Sequence, residues 1–244
     1  MSLSSSRAGY TIAPTLMAKI YQNPNINDFR EQLRESLKLE SLNFTTISVR
    51  KHQAVYTCSD HADTVYFIKS GQVKLLMLSP EGKECLVAIH TAGDIFGELS
   101  LAGPVPRQET AIAMEDTELK RFSSSTFFLH LNENSLLEEF VRYLATRVND
   151  QQQVIANLIT VDSEHRLGET LLRLARKLGH ADPRSTLIEQ KITHEELAEM
   201  VGTTRPRITS FMLQFRALGL IEITPKHFLI IKEKRLTDYL ARMA

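Results

Sequence analysis

Within a span of six positions, Arg205, Arg207, Thr209 and Ser210 bring together two guanidinium forks and two hydroxyls. An arginine fork matches the N7/O6 edge of guanine, and hydroxyls suit phosphate oxygens, so these residue types at this spacing suit a duplex groove. To act together they must share one face of a helix. Ile208, Phe211, Met212, Phe215 and Leu218 recur at intervals of three and four through the same stretch, which predicts a helix with those residues toward a core. Thr193 and Glu196 form a capping-box pattern ahead of Leu197, Ala198 and Val201, predicting a shorter helix just before it. Gly202 suits the left-handed turn between the two, and Thr203 or Thr204 is placed to cap the second. The run 219–232, interrupted at Thr224-Pro225-Lys226-His227, reads as a hairpin. Helix, turn, helix, hairpin is a winged helix, whose second helix enters a major groove.

A second candidate lies at Gly93–Ser100, G-D-I-F-G-E-L-S. Here Gly97 lets the backbone approach a ligand, and Glu98 with the following amides offers polar groups. Read on its own, the same loop also serves as a simple turn between strands. It sits in a region of period two. Val49, Val55, Val65–Ile68, Val73–Leu76, Leu86–Ile89 and Ala111–Met114 are short β-rich runs separated by turn signals. That pattern predicts an antiparallel roll able to hold one small ligand.

Between roll and winged helix, a long helix is expected from Leu136 to about Thr160. Leu137, Val141, Leu144, Val148, Gln151, Ile155 and Leu158 alternate at spacings of four and three, a narrow coiled-coil seam that calls for a partner helix. A second copy of the chain is the simplest partner. Another helix is expected over Leu167–Leu178, opened by Ser163 and Arg166, with residues 179–190 as a loop. A short amphipathic helix begins at Asn27 or Asp28, with Phe29, Leu33, Leu37 and Leu39 as its apolar side. The divisions are 1–24 a flexible segment, 25–133 the sensing roll, 134–161 the dimerisation helix and 162–244 the winged helix. The fold class is α+β, a double-stranded β-helix (jelly roll) followed by a helical DNA-binding domain.

The chain has 244 residues and a formal net charge of zero. Residues 163–244 hold 14 Lys+Arg against 10 Asp+Glu, and residues 1–162 hold 15 against 19, so the basic excess travels with the winged helix. Two cysteines, Cys58 and Cys85, provide neither a disulfide framework nor a metal cluster and read as small apolar strand residues. No apolar run reaches membrane-spanning length, so a cytoplasmic location without a membrane partner is expected. No nucleophile–base pair, paired carboxylates or metal spacing stands out, so an enzyme is not expected.

The order roll, long helix, winged helix resembles the cyclic-AMP receptor/Fnr family of bacterial transcription regulators. The pieces that carry the resemblance are V-Y-F-I-K-S-G-Q-V-K-L at 65–75, G-D-I-F-G-E-L-S-L at 93–101 and K-I-T-H-E-E-L-A-E-M-V-G-T-T-R-P-R-I-T at 191–209. It covers about residues 28–240. The resemblance implies a homodimer that binds a palindromic double-stranded site under control of an effector in the roll, with RNA polymerase as a partner. It makes Arg205 the base-reading arginine and places Thr193, Thr204 and Arg207 at or beside phosphate-contacting positions. His194 falls where the cyclic-AMP regulators have a further DNA-contacting arginine. Two positions depart: Pro206 replaces a base-reading glutamate and Ser210 a second arginine, so a different half-site is implied.

The effector residues implied are Gly97, Glu98, Leu99, Ser100, Arg107, Thr110, Arg147, Gln151 and Gln152. Glu109-Thr110-Ala111 stands where the cyclic-nucleotide signature has an arginine-led triplet, and Gln151-Gln152 where the cyclic-AMP regulators have hydroxyls. Arg107 and Arg147 align with arginines that the cyanobacterial nitrogen-control regulator uses for a dicarboxylate. The effector, where there is one, is thus a small anion, a cyclic nucleotide or a carboxylate metabolite. No cysteine cluster for an iron–sulfur centre is present. The competing reading is a cyclic-nucleotide-type sensor that regulates a protein partner, against which the basic winged helix speaks.

Overall fold

Side chains alternating across a strand can bury one face only if a second sheet covers it. The computed structural model, which describes residues 24–38, 44–60, 63–80, 82, 84–103, 106–182 and 185–243, meets that need with two four-stranded sheets. The strands are β1 Thr45–Val49, β2 Ala54–Tyr56, β3 Thr64–Ser70, β4 Gln72–Leu78, β5 Glu84–Thr91, β6 Ile95–Phe96, β7 Thr110–Ala113 and β8 Thr117–Ser123. One sheet has the order β1-β8-β3-β6 and the other β2-β7-β4-β5, with antiparallel pairing throughout. This is the double-stranded β-helix. Between the sheets lie Ile68, Val73, Leu75, Phe96, Ala111 and Leu119. Tyr66 stacks on Phe96 at 5.0 Å and 12°, and Tyr56 and His90 flank the same ring, so aromatic groups fill this part of the interior.

Around the roll run α1 Pro24–Ser36, α2 Ser124–Glu133 and α3 Leu137–Thr160. Phe29 of α1 packs against Phe140 and Tyr143 of α3, with ring centroids 5.6 and 5.0 Å apart. Each of these fully buried side chains contributes about 1.5–3 kcal/mol by leaving water. The expected flexible segment 1–24 lies outside the described residues apart from Pro24, as does Leu39.

The C-terminal part holds α4 Ser163–Leu178, β9 Gly179–Asp182, β10 Ser185–Ile188, α5 His194–Val201, α6 Arg205–Ala217, β11 Ile221–Ile223, β12 Leu229–Ile231 and α7 Glu233–Leu240. Two expectations change here. α4 does open at Ser163, but its cap is the residue before: the Asp162 carboxylate accepts from the backbone N–H of His165 at 2.8 Å. Residues 179–190 are not simply a loop: β9 and β10 pair, and β10 continues onto β12, giving a sheet of order β11-β12-β10-β9. The cue was non-local, since β10 finds its second partner more than forty residues on (Leu187 opposite Ile230). The cysteines also depart from expectation. Both are exposed, and only Cys85 lies in a strand.

Roll and winged helix are not separate cores. Leu76, Leu86, Ile89 and Met114 of the roll share one apolar cluster with Leu171, Leu197, Ile208 and Phe215. The irregularity in β4–β5 pairing between Leu75 and Leu76 accompanies this: Leu75 stands opposite Ala88 but Leu76 opposite Leu86, with Val87 left exposed. Among the described residues no helix is long and apolar enough to cross a membrane.

Candidate DNA interface and effector pocket

The two helices of the DNA-binding motif are held by the devices their sequence announces. Thr193 Oγ1 accepts from the Glu196 N–H, and the Glu196 carboxylate accepts from the Thr193 N–H at 3.0 Å, closing the capping box. Gly202 adopts φ 69°, ψ 48°, a left-handed conformation that turns the chain into α6. Ile208, Met212 and Phe215 are buried and Phe211 half-buried, whereas Leu218 is half exposed. The helix ends at Ala217, so Leu218 leaves the helical stripe that sequence spacing assigned it.

On the outer face Thr204, Arg205, Pro206, Arg207 and Ser210 are exposed at the N-terminal end of α6. Thr204 occupies the N-cap position without a side-chain cap bond, and Pro206 fits the first turn, where no N–H is needed. Arg207 lies 5.8 Å over the Phe211 ring one turn on, which directs its stem. Thr193 is exposed and Thr203 half-buried. His194 and Thr209 are tied to each other, His194 Nδ1 standing 2.9 Å from Thr209 Oγ1. The hydroxyl has one proton, and it is placed to donate to the Arg205 carbonyl at 3.1 Å, which leaves His194 Nδ1 as the donor to Oγ1.

By sequence, Arg166 is a helix opener and nothing more. Its guanidinium donates to the Val201 carbonyl at 2.9 Å and to the Val161 carbonyl at 2.7 Å, tying the end of α5 to the link between α3 and α4. No spacing rule reveals such a bond, since carbonyl acceptors carry no residue identity.

Several of the residues expected to hold an effector form a tight polar knot between roll and α3. Gly97 has φ 76°, and an added Cβ would lie 2.9 Å from Arg107 Nη1 and 3.0 Å from the Thr64 carbonyl. Arg107 is buried, donates to the Gly97 carbonyl at 2.9 Å and to Thr64 O and Oγ1, and lies 4.3 Å over the Tyr56 ring. Tyr56 in turn donates to buried Glu109 at 2.8 Å; burial first, and then the Glu109 charge, push its phenol well above the usual range. Ser100 is buried and donates within the same turn, and Thr110 Oγ1 accepts from the Cys58 N–H.

Glu98 pairs with Arg147 of α3 at 2.8 Å, both side chains being mostly covered. Burial alone would lower the Arg147 pKa, but the Glu98 carboxylate overrides it and raises it. Arg147 also lies 5.8 Å from the Tyr143 ring, whose own pKa burial pushes up to about 12. Leu99 is half exposed, and Gln151 and Gln152 are exposed on α3. The structure thus gathers Gly97, Glu98, Ser100, Arg107 and Arg147 and leaves the other candidates at the margin. Among the described residues no group of three His, Cys, Asp or Glu could hold a metal.

On α3 itself, Phe140 and Tyr143 are buried and Leu144 packs on the same cluster. Leu137, Val141, Val148, Ile155 and Leu158 are exposed, with Val141 and Ile155 each 58% exposed, whereas Leu144 of the same expected seam is drawn onto this chain's own cluster.

Two domain models match the chain: a cyclic nucleotide-binding domain over residues 46–134 and a Crp-like helix-turn-helix domain over residues 165–239. The CRP-like cAMP-activated global transcriptional regulator of Mycobacterium tuberculosis is 31% identical over 185 residues, 75% of this chain and 82% of that one. The chain belongs to the CRP/FNR family of transcriptional regulators. Another relative, the global nitrogen regulator of Synechococcus elongatus, is 26% identical over 220 residues, 89% of this chain and 97% of its own. A CooA mutant from Carboxydothermus hydrogenoformans superposes with a TM-score of 0.70 at 26% identity, covering 84% of this chain and 94% of the other. The family to which this chain belongs consists of regulators rather than enzymes, and the knot at Gly97 and the exposed end of α6 fall within its two domains.

Proposed function

We propose that this CRP/FNR regulator works as a homodimer that reads an inverted repeat in duplex DNA, switched by a small anionic effector in the roll. The observation that carries the reading is the exposed apolar row on α3. A single chain leaves Val141, Val148, Ile155 and Leu158 in water while burying Phe140 and Tyr143 on the adjoining face. A seam of that period buries itself against a second copy, and two-fold symmetry then sets two α6 helices about one DNA turn apart. Arg205 and Arg207 supply guanine and phosphate contacts; Thr193, Thr203, Thr204 and Ser210 line the same approach, and RNA polymerase is the further partner. Support for an anion comes from Arg147, whose partner Glu98 sits on the glycine-led turn, so that a carboxylate or phosphate entering there competes for the guanidinium. Arg107, by contrast, is committed to carbonyl oxygens and shapes the turn.

Sedimentation of the full chain, followed by selection from random duplexes, tests the reading. The expected result is a dimer mass and enrichment of an inverted repeat with half-sites about 34–36 Å apart. A monomer at micromolar concentration, or enrichment of no repeat, refutes it.

A further inference from the structure

Asp94 has no exposed side-chain surface, yet α1, β3, β5 and α4 all meet at it. Its Oδ2 accepts from the Thr91 N–H at 2.9 Å, its backbone carbonyl accepts from the Ile68 N–H, and its Oδ1 pairs with Arg30 of α1. His90 Nδ1 lies 3.5 Å from Oδ2. A further partner comes from the other domain: Lys177 Nζ, in the last turn of α4, stands 3.1 Å from Oδ2. Burial alone would raise the Asp94 pKa, but Lys177, His90 and Arg30 override it and hold the carboxyl well below the usual range. A buried carboxylate with this environment holds a cation firmly, because leaving it unpaired is costly. Lys74 of β4 makes a second crossing to Glu196 of α5 at 3.1 Å, on the residue that closes the α5 cap.

Asp94 also lies four residues before Glu98, on the segment that carries the effector turn. Ile95 and Phe96 between them are fully buried, and Phe96 is clamped by the Tyr66 ring. One short rigid piece therefore carries two carboxylates, each held by a cation from a different element: Arg147 of α3 at one end and Lys177 of α4 at the other.

We propose that the Asp94–Lys177 pair is the joint that fixes the orientation of the DNA-binding domain on the roll, and that the segment Gly93–Glu98 carries a change at the Glu98–Arg147 pair to that joint. Lys177 is a positioning residue in this scheme. It acts through Asp94 alone. The transmission half rests on the regulatory function proposed above; the joint itself does not.

Distances between spin labels within one chain test both halves without DNA. Cys58 is exposed and takes one label, Leu213→Cys on α6 takes the other, Cys85→Ser removes the competing thiol, and dilution with unlabelled chain leaves only intrachain distances. The native joint is expected to give one narrow distance. Lys177→Met keeps the stem but removes the ammonium, while Arg30 and His90 still attend Asp94, so the roll stays folded and the narrow distance is lost. Lys177→Arg restores it. Lys177→Gln, which keeps a donor without the charge, also loses it and serves should the methionine variant not fold. An unchanged distribution in Lys177→Met or Lys177→Gln overturns the joint. Glu98→Gln is expected to shift the distance in the native background and not in Lys177→Met; an equal shift in both overturns the transmission half.

Discussion

Gly97→Ala offers the sharpest test of how the turn at Gly97 is built. At φ 76° an alanine sits in the left-handed region, which costs about 1–2 kcal/mol. The new Cβ would also lie 2.9 Å from Arg107 Nη1 and 3.0 Å from the Thr64 carbonyl. The carbonyl is backbone and cannot yield, so Arg107 must, and its charge-assisted bond to the Gly97 carbonyl is lost at about 1.5–3 kcal/mol. The sum is roughly 2.5–5 kcal/mol, a large part of the roughly 5–15 kcal/mol that stabilises a domain. For a chain of this size it lowers Tm by about 5–20 °C. Gly82→Ala is the control, because Gly82 has φ 78° with nothing within 4 Å of the added atom. It carries only the backbone cost and lowers Tm by about 2–8 °C. Calorimetry on the two variants separates strain from crowding. Equal small shifts for both refute the reasoning, since Arg107 would then not be wedged against Gly97.

Arg205→Ala is expected to weaken specific binding by about 1–3 kcal/mol and relax preference at one guanine, measured by titration against single-base variants of the selected site; uniform weakening on every sequence would show a phosphate contact instead. Ile155→Asp places a charge in the α3 seam and is expected to convert the dimer to monomer in sedimentation while leaving the circular dichroism spectrum unchanged, because the side chain is 58% exposed within one chain. His90 supplies a pH dependence. Burial, aided by Lys177 and opposed by Asp94, lowers its pKa to about 4, whereas the unfolded chain takes up that proton near 6.5. The unfolded state binds more protons between those values, so stability is full above about pH 6.5 and falls toward pH 4, by about 2 kcal/mol between pH 7.5 and 5. Urea midpoints at the two pH values check it, with His90→Gln expected to remove most of the difference.

Much of the architecture was legible because its signals are local. The cap at Thr193 and Glu196, the left-handed Gly202 and the buried Ile208, Met212 and Phe215 depend on residues within one or two turns of each other, and the helix they specify puts Arg205 and Arg207 outward. The alternating strands of the roll and the exposed row on α3 are likewise periodicities of the chain itself. Where locality failed, expectation failed too. Leu218 kept the spacing but lies past the helix end, and β10 reads as a strand only when β12 is beside it.

The partners of polar side chains were decided by tertiary structure alone. His194 and Thr209 both suited a DNA surface by type, yet they bond each other. Arg107 suited an anion, yet three oxygens of Gly97 and Thr64 occupy it. Lys74 and Glu196 meet across 122 positions of sequence, and Lys177 closes on Asp94 from another domain. A charge or hydroxyl has the same identity whether water, a ligand or a distant carboxylate satisfies it. The sequence therefore determined which elements form and which residues can do chemistry. Only the packing of roll, long helix and winged helix decided which of those residues are already taken, because desolvation forces each buried polar group to a partner and three-dimensional proximity selects it.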